Sequence, residues 1–350
     1  MENRFRKSPI HLVQETHAPR FVDSCAAGND CILPCSPVAG GPVISAGSLT
    51  VRATLSKGRL GNVEVDLQRP AVTQIFHGRA PEMVVKTVPC LYTICAQAQK
   101  AAAQAALAVA AGEERPAADD AGLWLELLHE NLWRLLLDWP PALGLPPEKE
   151  AFIAWRAMRF GGNCAAETKK LLVDTLEGLA EKCLENLVDR AARQVLVEGS
   201  HSPAGDTAAL NPDAWLDGWR DAGGAMPVLT APLSIRAAFQ GRVAEAERAA
   251  EALTADLPYP IAVAGANGWG AAQINTARGV LTHAVHLDAG KVTEYRVWAP
   301  TDAFFADAAA LSGLLAGRSF AAPDEARRAL DQAILALDPC VPYVLELNDA

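Results

Sequence analysis

The residues best able to do chemistry are the eight cysteines, at positions 25, 31, 35, 90, 95, 164, 183 and 340 of 350. As thiolates they are nucleophiles and soft metal ligands. Cys25, Cys31 and Cys35 fall within eleven residues, downstream of His11 and His17. Such a set can hold zinc or an iron–sulfur cluster with a histidine as fourth ligand. Its spacing fits no strong template, and mobile unliganded thiols are the simpler reading. Cys95 lies near the start of an alanine-rich helix, where the positive end of the dipole favours thiolate. Cys340 follows Asp338-Pro339; the proline disfavours helix for the residue before it, so it ends the helix of 324–337 and turns the thiol away. Taken singly, Cys95 and Cys340 read as packed thiols as readily as ligands.

The elements that must position these thiols are legible in part. Residues 1–45 lack periodicity and read as a flexible cysteine-containing arm, leaving 46–350 as one domain. Leu49, Val51, Ala53 and Leu55 alternate, and Val63, Val65 and Leu67 alternate after a turn-rich break, which predicts a β-hairpin over 48–68. A loop leads into a short helix near Pro81, and the alanine-rich helix runs from Cys95 to about Ala111. An amphipathic helix spans 119–139 and stops at Trp139-Pro140-Pro141, with His129 and Glu130 on its polar face. A second helix covers 147–159. A longer one runs 167–197 with Cys183 on its apolar stripe, and Cys164 sits in the loop before it. Helices of such length pack best against one another, so a bundle is expected. Residues 200–232 read as turns and 234–256 as helix. Residues 271–287 read as one strand that returns over 292–298. The fold class is therefore α+β, mainly helical, with flanking hairpins.

Half of the residues are hydrophobic, enough for a substantial core, and the net charge is −10. That charge argues against nucleic acid as partner. The charged start has no apolar segment behind it, which points to a cytoplasmic protein without a membrane partner. In that compartment the cysteines are thiols or metal ligands rather than disulfides. Phosphate-binding glycine loops, serine-nucleophile elbows and HExxH are absent from the sequence.

A set of spaced segments resembles the large subunit of nickel–iron hydrogenases over residues 46–350. Ile94-Cys95-Ala96-Gln97-Ala98-Gln99 is similar to the family's R-x-C-x-x-C-x-x-x-H motif. Ala277-Arg278-Gly279-Val280-Leu281-Thr282-His283, Tyr295 and Ala299-Pro300-Thr301 resemble its A-P-R-G-x-L-x-H and P-T segment. Asp338-Pro339-Cys340 is similar to the start of D-P-C-x-x-C-x-x-H. The family holds nickel with four cysteines, two of which bridge to an iron carrying cyanide and carbon monoxide. Here the resemblance puts Tyr92 and Tyr343 on two of those positions, and Gln99 and Glu346 on the motif histidines. Cys90 lies two residues before Tyr92 and replaces it only with a local shift. Phenol is a poor substitute for thiolate at nickel.

This pattern, with Leu128-His129-Glu130-Asn131-Leu132-Trp133-Arg134, resembles the degenerate HupK/HoxV-type hydrogenase expression/formation proteins. The continuation Ala303-Phe304-Phe305-Ala306 after Pro300-Thr301 departs even from these. The resemblance implies an accessory scaffold rather than an enzyme, carrying an Fe(CN)2(CO) unit transiently and no nickel. It implies Cys95 and Cys340 as iron ligands, Arg278 over the diatomic ligands, Asp338 orienting the Cys340 loop, and Glu130 nearby. Gln99 and Glu346 would cap or pack. The implied partners are a small HypC-type chaperone, a HypD-type iron scaffold and the hydrogenase large-subunit precursor. A metal-free recruiting protein and an atypical nickel–iron hydrogenase are the alternatives.

Overall fold

The computed structural model describes residues 47–189, 210–222 and 231–349. The arm carrying Cys25, Cys31 and Cys35 lies outside them. Strands β1 (Ser48–Ser56) and β2 (Arg59–Gln68) form the expected antiparallel hairpin. Leu49, Val51, Ala53 and Leu55 all point into the core. A 3-10 turn (Val72–Phe76) precedes α1 (Pro81–Leu91) and α2 (Ala96–Ala110).

Helix α3 (Asp120–Trp133) does not stop at the double proline. It widens into a π-helical turn (Arg134–Asp138) and continues as α4 (Trp139–Ala142), with both prolines inside. Pro140 has no N–H to give. The carbonyl of Leu136, four residues back, instead accepts the N–H of Glu148 at 2.9 Å. The backbone group stays satisfied, so the helix survives.

Helices α5 (Lys149–Met158), α6 (Cys164–Leu171) and α7 (Glu177–Asn186) follow, α6 and α7 joined by a second π turn (Leu172–Leu176). The long helix expected over 167–197 thus begins earlier, at Cys164, and ends at Asn186. Leu187 is extended and fully buried, so its apolar signal comes from core packing, not helical periodicity. Residues 190–197 fall outside the description. Part of the turn-rich segment is helical after all, as α8 (Pro212–Ala222), whose Trp215 and Trp219 are buried against the second sheet. Next comes α9 (Ile235–Thr254).

The second sheet is an antiparallel meander of β3 (Ile261–Ala266), β4 (Trp269–Thr276), β5 (Gly279–Asp288) and β6 (Lys291–Trp298). The segment 271–287 is therefore two strands, not one. It reverses at Ala277-Arg278, and almost every residue of it is buried. A strand covered on both faces loses the polar alternation that would mark its ends. The β3–β4 turn is Asn267-Gly268, both at positive φ, as a tight two-residue hairpin requires.

Short α10 (Pro300–Phe304) and α11 (Ala309–Leu315) lead to α12 (Pro323–Leu337) and β7 (Tyr343–Asp349). Strand β7 runs parallel to β1, pairing Leu49 with Tyr343 and Val51 with Leu345, so the sheet order is β2-β1-β7. The carbonyl of Pro342 accepts the N–H of Leu49 at 3.0 Å. The start of the described chain thereby fixes the loop that carries Cys340.

Two packings set the site. Helix α2 lies on β4 and β5 through small residues, with Gly270 and Ala272 beneath Ala103, Ala106 and Ala110. Helices α3, α9 and α12 pack around the main core, which contains the edge-to-face pair of Trp139 and Phe239 at 5.2 Å. No described helix is long and apolar enough to cross a membrane.

Candidate functional site

Two loops meet over the end of α3. One is Tyr92-Thr93-Ile94-Cys95, with Tyr92 capping the end of α1 and Cys95 capping the start of α2. The other is Asp338-Pro339-Cys340, which leaves α12 through a left-handed Asp338 with φ of 46°. A cavity of about 640 Å³ lies between them. Its lining includes Arg69, Tyr92, Cys95, Gln99, Glu130, Arg134, Arg278, Thr301, Cys340 and Tyr343. Cys95 and Cys340, the two expected ligands, are thus brought to one space with Arg278, Glu130 and Gln99. Tyr92 and Tyr343 line the same walls.

The other candidates lie elsewhere. Cys90 is exposed on α1, and its thiol faces the carbonyl of Lys86 in its own helix. Glu346 is exposed on β7, where it pairs with Arg52 at 2.9 Å. Alternation explains this: Leu345 faces the core, so its neighbour faces out. Cys183 is core, as its place on the stripe implies, and Cys164 opens α6 rather than lying in a loop.

Asp338 is the hub. Its carboxylate accepts Arg134 Nε at 2.7 Å and Arg242 Nη2 at 2.9 Å, and Arg278 Nε stands 3.5 Å away. Burial opposes its ionisation, but the arginines outweigh it and hold the carboxyl down at about 2. Arg134 also pairs with Asp138, across the π turn, and reaches the carbonyl of Pro339. Arg242 continues to Asn131, which donates to Glu245 at 2.9 Å. A buried polar network therefore ties α3, α9 and α12 to the Cys340 loop.

Glu130 and His129 are not the surface residues that a polar helix face suggests. Glu130 is buried and accepts Arg278 Nη2 at 3.0 Å. His129 Nδ1 lies 3.2 Å from the other oxygen of Glu130. Burial works against charge on Glu130, yet His129 and Arg278 together lower its pKa. Arg278 is held by the β4–β5 turn and is 3% exposed. Its Nε and Nη1 have no hydrogen-bond partner. Nε still faces the Asp338 carboxylate, so Nη1 is the donor left over in this buried wall of the cavity, available to an acceptor.

The two sulfurs differ. Cys340 Sγ accepts Arg69 Nη2 at 3.0 Å and Thr301 Oγ1 at 3.2 Å, while Thr301 Oγ1 also accepts the Cys340 backbone N–H at 3.0 Å. Cys95 Sγ accepts only the amide of Gln99, at 3.6 Å. Gln99 Oε1 lies 2.8 Å from His283 Nε2, and His283 Nδ1 lies 2.6 Å from the Tyr295 hydroxyl. With the Gln99 amide pointing at sulfur, its oxygen must accept. His283 then carries its proton on Nε2 and accepts a hydrogen bond from the Tyr295 hydroxyl on Nδ1. Burial depresses His283 to about 3, so the imidazole is neutral. Gln99 is therefore more than a packing residue.

The helix dipole does not win at Cys95. Burial pushes the thiol up to about 12, with Glu126 and Cys340 adding to the rise and Arg278 and Gln99 opposing it. Glu126, raised by burial to about 7, accepts the N–H groups of Gln97 at 2.7 Å and Ala98 at 2.9 Å. A carboxylate already occupies the first turn of α2, and it repels a second anion there. Thiol alkylation checks this. Iodoacetamide at pH 8 is expected to label exposed Cys90 well before Cys95, read by peptide mass spectrometry; equal rates would refute the burial argument.

Arg69, Arg134, Arg242, Thr301 and Glu126 escape sequence reasoning as site residues. Arg69 follows a strand and Arg134 sits four residues after Glu130 on one helix face, a weak signal that the buried partner would have confirmed. Among the described residues, no group of three or more His, Cys, Asp or Glu side chains is arranged to hold a metal ion by itself.

No family model matches the chain. Curated relatives do. The hydrogenase expression/formation protein HupK of Azotobacter vinelandii is 31% identical over 344 residues, covering 87% of this chain and 100% of the relative. HupV of Azotobacter chroococcum mcd 1, with the same description, is 30% identical with the same coverage. The chain belongs to the hydrogenase expression/formation proteins. In fold this expression/formation protein is like the nickel–iron hydrogenase large subunits. The Ni-Fe-Se hydrogenase from Desulfovibrio vulgaris Hildenborough superposes with a TM-score of 0.50 at 14% identity, covering 81% of this chain and 94% of that one. The membrane-bound sulfane sulfur reductase, an archaeal respiratory complex, gives 0.50 at 14% identity over 82% and 91%. At these identities the likeness speaks for the fold alone. It accords with the expected α+β, mainly helical, large-subunit-like architecture.

Proposed function

We propose that this expression/formation protein is an accessory factor in hydrogenase maturation, not an enzyme. It holds an Fe(CN)2(CO) unit transiently between the maturation machinery and the large-subunit precursor. The observation that carries the proposal is the pairing of two thiols, Cys95 and Cys340, on one cavity that Arg278 also lines, with its Nη1 unpartnered. Two thiolates can hold a low-spin iron that already bears strong-field diatomic ligands. Arg278 Nη1 would donate to cyanide nitrogen. On the motif resemblance, Tyr92 and Tyr343 take two of the thiolate positions that nickel would need. Both phenols are pushed up by burial, Tyr92 to about 12, and Tyr343 is hydrogen-bonded to Asp331. Neutral phenols do not compete for a soft metal, and incomplete coordination favours release. The partners on this reading are a HypC-type chaperone, a HypD-type iron scaffold and the precursor.

Infrared spectroscopy of protein isolated anaerobically from its own host tests this. Bands of iron-bound cyanide and carbon monoxide are expected, and both Cys95→Ala and Cys340→Ala are expected to lose them while remaining folded by circular dichroism. Wild-type protein without bands would defeat the carrier reading. The competing reading is a metal-free recruiting protein. On that reading the two alanine variants leave hydrogenase maturation intact.

A further inference from the structure

The unequal surroundings of the two sulfurs carry an inference about how cargo leaves. We propose that Arg69 and Thr301 make Cys340 the releasing thiol of the site, while Cys95 is the retaining one. This rests on the carrier reading above and adds an order of bond breaking to it.

The argument begins with electron density. A thiolate sulfur gives less charge to a metal when its lone pairs are engaged by hydrogen-bond donors, which is how proteins tune sulfur-ligated centres. Cys340 faces two such donors, at 3.0 and 3.2 Å, and one of them is a cation. Cys95 faces a single neutral amide at 3.6 Å. The Cys340–metal bond is therefore the weaker of the two.

The leaving state points the same way. When the Fe–S bond to Cys340 breaks heterolytically, both electrons stay on sulfur and the iron keeps its oxidation state. No oxidant or reductant is needed. The released sulfur is met by the Arg69 guanidinium and by the hydroxyl of Thr301, which face the charge it regains. Cys95 has no comparable support: its half-buried sulfur meets the amide of Gln99 alone, at 3.6 Å.

Both donors are held in place by groups outside the cavity's reactive edge. Asp302 accepts Arg69 Nε at 2.9 Å and, with its other oxygen, the N–H of Ala299 at 3.2 Å. Thr301 is fully buried and bonded to the Cys340 backbone. The device is thus one unit made of the end of β2, the start of α10 and the Cys340 loop. An exchange in which an incoming donor displaces Cys340 first, and Cys95 last, follows from it.

The test uses the full-length protein and cadmium, a thiophilic ion whose thiolate charge-transfer absorption can be followed. Release to excess EDTA is measured in wild type, and the component missing in Cys340→Ala is assigned to Cys340. Arg69→Met and the near-isosteric Thr301→Val are each expected to slow that component, because each removes a donor that draws charge from the sulfur. The component belonging to Cys95 should not change. On protein isolated with the iron unit, both variants should move the carbon monoxide band to lower frequency, because a more electron-rich sulfur strengthens back-donation. Unchanged release in both variants, or no Cys340-dependent component in wild type, would overturn the assignment. Slowed cadmium release in protein that never shows iron bands would sink the carrier reading while leaving Cys340 as the releasing thiol.

Discussion

Replacing Asp338 by asparagine is expected to lower folding stability by about 3–5 kcal/mol, the usual result of removing one partner from a buried ion cluster. The side chain keeps its shape and loses its charge. Arg134, Arg242 and Arg278 then share a buried space without their common counter-ion. Urea denaturation of the purified protein reads the loss. A change within about 0.5 kcal/mol, the range of ordinary surface substitutions, would mean that the hub is not electrostatic. The wild-type pH profile offers a second check. The folded carboxyl titrates near 2, below its ordinary 3.8. A depressed carboxylate contributes stability that is fully present above the unfolded value and is lost as pH falls through the folded one. The window is therefore about pH 4 down to 2, and the amount is about 2 kcal/mol. The asparagine variant should lack this share of the acid-induced loss. A wild-type profile already falling steeply at pH 6 would have to come from other groups.

Gly270→Ala is expected to be the most disruptive single methyl in the molecule's second sheet. A Cβ there would run into the backbone oxygen of Ala106 and sit 2.8 Å from the amide nitrogen of Ala110. Both obstacles are backbone, so neither can rotate away. Either α2 lifts off β4 or the strand bends, at a cost of about 1–3 kcal/mol or more. The same movement displaces Cys95, which caps the start of α2. Loss of melting temperature should therefore accompany loss of bound iron bands. An alanine variant as stable as wild type would show that the helix–strand contact is looser than its geometry implies.

The sequence makes the first hairpin readable because one face of β1 meets the core and the other does not. It hides the β4–β5 reversal because both strands are buried on both sides, and because Arg278, a charged residue at the turn, looks like any polar loop residue. It hides the survival of α3 through two prolines, since the rescue comes from Glu148, a residue outside the helix. The two site thiols and Arg278 stand out only as a spaced set; each alone is bland. Arg69, Arg242 and Glu126 could not be seen as site residues. They come from distant parts of the chain and acquire meaning only when tertiary packing puts them beside sulfur or carboxylate. Glu346 illustrates the reverse error: motif position placed it at the site, but strand alternation turns it outward.

The row of hydrogen bonds from Tyr295 through His283 and Gln99 to Cys95 has a direction. Every proton in it points toward the sulfur, and a hydroxyl on β6 closes the far end by donating to the imidazole. Phenylalanine at 295 would free Nδ1 to carry the imidazole proton. Nε2 would then accept, the Gln99 amide would rotate, and a carbonyl lone pair would face Cys95 in place of an N–H. No backbone would move. The polarity of the sulfur's environment is thus written as proton order across the width of the sheet, and a residue that never approaches the cavity can reverse its sign.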